Sequence, residues 1–167
     1  MTRSGPDIDF TEGEKVPRRS LYFRHAYEKQ MRFLVLFDEA SPNECYRRTE
    51  SIVPQQALAL ANSELTLVQA RIIARELAEQ AAGDSARFVT AAFERVLSRM
   101  PTADEMALTT AFLDKQSRTL TPAGEQQLAA AGAAAGDPKS PATQPNLRAR
   151  ENLVHVLLNH NDFLTVR

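Results

Sequence analysis

Apolar residues recur along the middle of the chain at helical spacings, with start and stop signals between them. Leu65, Val68, Ile72 and Leu77 fall on one helical face, and Ser63 stands where a cap for that helix is needed. Gly83-Asp84 predicts the end of this helix and the cap of the next. Phe88, Val89, Ala92, Phe93, Val96 and Leu97 then form a regular apolar stripe, which Met100-Pro101 interrupts. Thr102 and Glu105 have the spacing of a capping box, in which hydroxyl and carboxylate each take a free backbone N–H. The helix that follows runs to about Thr119 and turns Met106, Thr109, Phe112 and Leu113 inward. The connection at Met100-Pro101 is short, so the two helices are expected to pack as an antiparallel hairpin.

The flanks are less regular. Residues 1–17 carry Gly5, Pro6, Gly13 and Pro17 and read as an irregular lead-in. Leu21–Phe23 leaves room for one short strand, and Glu28–Phe37 predicts a helix. Pro54 suits a first helical position and opens a short helix over Gln55–Ala61, broken at Asn62-Ser63. Ala and Gly crowd Leu128–Gly136, and Pro138, Pro141 and Pro145 follow, so 121–145 reads as a low-complexity insertion or linker. Asn146 is the expected cap of a last helix with Leu147, Val154, Leu157 and Leu158 inward. The expected fold class is mostly α: an irregular helical domain with a central antiparallel hairpin, occupying 18–120, and a C-terminal helix, 146–167, packing back on it.

Composition narrows the function classes. The chain has 167 residues, 43% apolar and 25% charged, with a net charge of −1, so no global basic excess marks a nucleic-acid coat. No apolar run reaches the roughly 18–20 residues of a membrane span, and Met1–Glu14 has no signal-peptide core. The single Cys45 cannot close an internal disulfide; Arg47 and Arg48 beside it are the groups that would make it reactive, but the expected reading is an inert, half-buried thiol.

Catalytic motifs are absent from the sequence: no G-x-S-x-G elbow, no glycine-rich phosphate loop, no Cys-x-x-Cys-His heme attachment. His155 and His160 stand five apart, about 140° around a helix, which is wrong for one metal. No metal site is expected, and the carboxylates read as scattered, solvent-facing positions. The arginine pairs Arg18-Arg19 and Arg47-Arg48 are the most suggestive polar residues, because guanidinium groups bind carboxylate, sulfate or phosphate bidentately. With Gln55 and Asn62 they make a candidate anion or ligand subsite. The preferred reading of the arginine pairs, however, is that they hold loops in place against Asp38, Glu39, Glu44 and Glu50. A helix-turn-helix on Phe88–Thr119 is disfavoured for DNA by Asp104, Glu105 and Asp114 on its second helix.

Several blocks carry a family resemblance. They are Arg18-Arg19-Ser20-Leu21-Tyr22-Phe23-Arg24-His25, Glu44-Cys45-Tyr46-Arg47-Arg48, the run Val53-Pro54-Gln55-Gln56-Ala57-Leu58 through Ser63, Phe93–Arg99, and Asp162-Phe163-Leu164. Together they resemble the C-terminal domain of unknown function in large planctomycete cytochrome-c-associated exported proteins. The likeness runs from about Pro17 to Arg167, with Thr121–Pro145 as a variable gap. It implies an exported or periplasmic parent with upstream domains, heme held only in those domains and none in this chain, and a role in polymer breakdown or electron transfer. It implies no catalytic residues here. On this reading the chain is the C-terminal portion of a longer protein. Its partners are upstream domains of the parent or another chain, with polysaccharide as a further ligand. An exposed apolar patch is expected where such elements pack. The leading expectation is a non-catalytic helical module; the alternative is anion or glycan binding, or part of a shared enzyme site.

Overall fold

The local signals act as read at Gly83-Asp84, where one helix has ended and the next is capped. In the computed structural model, described at 54–120, 140–164, 30–37 and the isolated positions 8, 9, 11, 12, 16, 19, 22, 23, 26, 28, 39 and 43, seven helices form. They are α1 Arg32–Leu36, α2 Pro54–Asn62, α3 Glu64–Gln80, α4 Ser85–Leu97, α5 Ala103–Thr119, α6 Pro145–Leu158 and α7 Asn161–Leu164. The chain divides into two compact units, Met1–Leu65 and Thr66–Arg167.

In the first unit the expected helix over Glu28–Phe37 shrinks to α1. Met31 is extended at φ −73° and ψ 118°, and no side chain caps the helix after it. The sequence RFLVL is rich in aromatic and branched residues of low helix propensity, and Phe37 N–H turns back onto the Leu34 carbonyl to close the helix. The Phe33 and Phe37 rings lie 4.9 Å apart in a tilted pair. The short strand at Leu21–Phe23 reduces, among the described residues, to a single parallel bridge between Ile8 and Phe23, with Tyr22 N–H bonded to the Arg19 carbonyl. α2 begins at Pro54 and ends in Asn62, whose amide bonds the Leu58 carbonyl. The break before α3 is Ser63 alone.

In the second unit α3 turns a different face inward from the one its large residues suggest. Thr66, Ala70, Ala74 and Leu77 are buried, while Leu65, Val68 and Ile72 are only half-buried. Ala70 and Ala74 bring small side chains into the core with Leu77, and the larger Leu65, Val68 and Ile72 are less covered. Ala82 and Gly83 then take positive φ, 48° and 91°, and reverse the chain. The Asp84 carboxylate caps α4 by accepting Ala86 N–H at 2.8 Å and Arg87 N–H at 3.3 Å. α4 ends in a left-handed Ser98, φ 55°, whose N–H bonds the Glu94 carbonyl. The capping box forms as expected: Glu105 N–H to the Thr102 hydroxyl, Thr102 N–H to the Glu105 carboxylate.

α4 and α5 make the expected hairpin, and α6 packs on both. Phe88, Val89, Ala92, Phe93 and Leu97 of α4, Leu113 of α5, and Ala149, Leu153, Val154, Leu157 and Leu158 of α6 are the buried core with the α3 face. α6 starts two residues earlier than a cap at Asn146 would place it. Gln144 is its N-cap residue and Pro145 opens it, so Asn146 lies inside the first turn. Pro145, with no N–H and φ already near the helical value, explains the shift.

Candidate functional site

The six candidate residues fare differently. Arg18, Arg47 and Arg48, together with Cys45 and His25, lie outside the described residues. Arg19 is exposed. Gln55 and Asn62 are exposed at opposite ends of α2, two turns apart and so on nearly one side of it, about 10 Å along the axis. Asn62 has already given its amide nitrogen to its own helix at 2.9 Å. The neighbouring Gln56 donates Nε2 to the Leu36 carbonyl at 2.8 Å, satisfying an end carbonyl of α1.

The second unit holds polar groups that the sequence reading passed over. Glu151 is 2% exposed, a buried carboxylate on α6 where all carboxylates were expected to face solvent. Its Oε1 lies 3.3 Å from Arg75 Nη2, and its Oε2 lies 3.2 Å from Arg148 Nη1. Oε2 also accepts Ala142 N–H at 3.0 Å, and Arg75 donates to the Ser140 carbonyl. One carboxylate therefore ties α3, α6 and the 140–142 segment. The stripe Leu147, Glu151, Val154, Leu158 runs at helical spacing, so the burial of Glu151 was written in the pattern. Its partner Arg75 was not.

A second cluster closes the hairpin turn. Arg99 donates to both Glu105 oxygens, at 2.9 and 2.7 Å, and its Nε and Nη2 each lie 3.0 Å from Asp162 Oδ2. It also reaches the Met100 carbonyl and lies over the Phe93 ring, 5.4 Å from its centre. Hydrogen bonding to Glu105 first, and to Asp162 second, holds the Arg99 guanidinium far above its usual range. The bonds from Arg99, then from Thr102 N–H, bring the Glu105 carboxyl down from 4.5 to about 2. A depressed carboxyl stabilises the fold above its unfolded value and loses that contribution as pH falls through the folded one. The stability gap between wild type and Glu105→Gln is thus expected to be full at pH 7 and to close between pH 4.5 and 2, measured by thermal melts across that range.

Between the N-termini of α4 and α6 and the end of α5 lies a pocket of about 190 Å³, bordered by Gly83, Ser85, Asp114, Ser117, Asn146 and Arg150. Arg150 crosses it. Nη2 bonds the Gly83 carbonyl at 3.0 Å and the guanidinium sits 4.9 Å above the Phe88 ring centre. Burial pulls Arg150 below the ordinary arginine value, opposed by the charge of Asp84.

The histidines stay apart in role. His160 lies past the end of α6 and its Nδ1 accepts Asp162 N–H at 3.1 Å, whereas His155 lies within α6. Among the described residues no three or more His, Cys, Asp or Glu side chains gather as a metal-holding group, and no helix is long and apolar enough to cross a membrane. The chemistry of these clusters is cross-linking: Arg75 with Glu151, Arg99 with Glu105 and Asp162, Arg150 with a backbone carbonyl.

A family model, PSD1, described as a protein of unknown function (DUF1553), matches residues 4–113, ending within α5. No curated protein and no solved structure matches the chain.

Proposed function

We propose that this chain, which belongs to the PSD1 family of proteins of unknown function (DUF1553), is a non-catalytic helical module that completes or scaffolds a larger exported protein. One observation carries this reading: the strongly paired charges of the Thr66–Arg167 unit are spent on the fold itself, Glu151 on Arg75 of α3 and Arg148 of its own helix, and Arg99 of the hairpin turn on Glu105 and Asp162. An acid or base committed to two arginines is poorly placed to exchange protons with a substrate. Large apolar side chains stand exposed on the unit, Leu108 at 73%, Met100 at 60% and Val156 at 54%, as suits a surface that meets other chain.

The finer part of the proposal rests on the resemblance of the Arg18–His25 and Val53–Ser63 blocks. In it the parent is of the planctomycete cytochrome-c-associated kind, heme sits in other domains, and the whole takes part in polymer breakdown or electron transfer. The rival proposal gives Arg18, Arg19, Arg47, Arg48, Gln55 and Asn62 an anion or glycan. Thermal melts of the purified chain, alone and with sulfated and uronic-acid sugars, separate the two. The module reading expects one midpoint throughout. A saturable rise with one sugar that disappears on replacing Arg47 and Arg48 overturns it, because a ligand bound to the folded state raises stability by mass action.

A further inference from the structure

We propose that α7 is a detachable strap, held on the bundle through Asp162 and able to open while α3–α6 stay folded. α7 spans only Asn161–Leu164, and so short a helix has no independent stability in water. It lies against α4 and α6. Asn161 is exposed, Phe163 is 43% exposed, and Asp162 is its only charged side chain. Its own turn includes two local bonds, Asp162 N–H to His160 Nδ1 and Phe163 N–H to the His160 carbonyl.

The receiving group is built without it. Apart from Asp162, Arg99 bonds both Glu105 oxygens and the Met100 carbonyl and lies over Phe93. Asp162 adds one carboxylate oxygen to the Nε–Nη2 edge of a guanidinium that is already oriented. Both partners are part-exposed, 33% and 26%, so the tie is open to screening by salt. Such an element opens locally, at a free energy below that of global unfolding. Opening uncovers the surfaces of α4 and α6 beneath it and leaves a carboxylate-shaped edge on Arg99.

Amide hydrogen exchange on the whole chain tests this. The Phe163 amide should exchange at least about tenfold faster than those of Val154 and Leu157 in α6, and faster still at high salt. Asp162→Asn should speed Phe163 several-fold more and leave Phe88, Val89 and Val154 unchanged. Equal protection at Phe163 and Val154, or an Asp162→Asn effect spread evenly over α4 and α6, means that α7 is an integral part of the bundle and overturns the proposal.

Discussion

Phe88→Ala is expected to destabilise the Thr66–Arg167 unit by about 3–5 kcal/mol, a large part of the roughly 5–15 kcal/mol that holds a domain folded. Phe88 is fully buried, among the largest such side chains of the described residues, and sits in the α4 stripe with Val89 and Ala92. Its removal leaves a cavity at the centre of three packed helices, where rigid neighbours collapse little. It also takes away the ring on which the Arg150 guanidinium rests, 4.9 Å from its centre. Phe88→Leu keeps most of the volume and is expected to cost about 1 kcal/mol. Urea titration at one temperature distinguishes the two by midpoint, at a similar slope. A cost below about 1 kcal/mol for the alanine variant would mean that the core is not built around this ring.

Glu151→Ala is expected to cost about 3 kcal/mol, the lower end of the range for breaking a buried ion pair. The carboxylate is 2% exposed, but Arg75 and Arg148 are 24% and 22% exposed, so the stranded arginines retain some access to water. The loss also orphans Ala142 N–H, which bonds Glu151 at 3.0 Å. Glu151→Gln keeps the shape and part of the hydrogen bonding and is expected to cost less. A double-mutant cycle of Glu151 with Arg75 should return a coupling above about 1 kcal/mol in chemical denaturation. Additive effects would show that the two side chains act independently despite their 3.3 Å approach.

Why the helix caps were legible and the ion pairs were not follows from where the information lies. The Asp84 cap, the Thr102–Glu105 box and the α4 stripe are local, each complete within a few residues, and all three stand in the structure as read. The fold class follows from them. The inward face of α3 was misread because Leu65, Val68 and Ile72 outweigh Ala70 and Ala74 in hydrophobicity, yet the buried positions are Thr66, Ala70, Ala74 and Leu77. For the polar clusters, neighbours in space are distant in sequence. Arg99 meets Asp162 across 63 residues, and no spacing rule joins them. Doubled arginines drew attention to 18–19 and 47–48, whereas Arg75, Arg99, Arg148 and Arg150, none of them doubled, make ion pairs or ring contacts in the structure. Glu151 was within reach, since an acid on an apolar stripe is itself a signal of a buried partner.

The turn from α3 into α4 has a consequence for how this fold tolerates change. A methyl group added at Gly83 would meet no atom within 4 Å, yet the backbone there holds φ at +91°, beside Ala82 at +48°. The position is roomy and still selective, because what it rejects is handedness and not bulk. Enlarging the surrounding space cannot rescue a substitution at Gly83. Only a residue at ease in the mirror-image half of backbone space keeps α4 aimed at its partners.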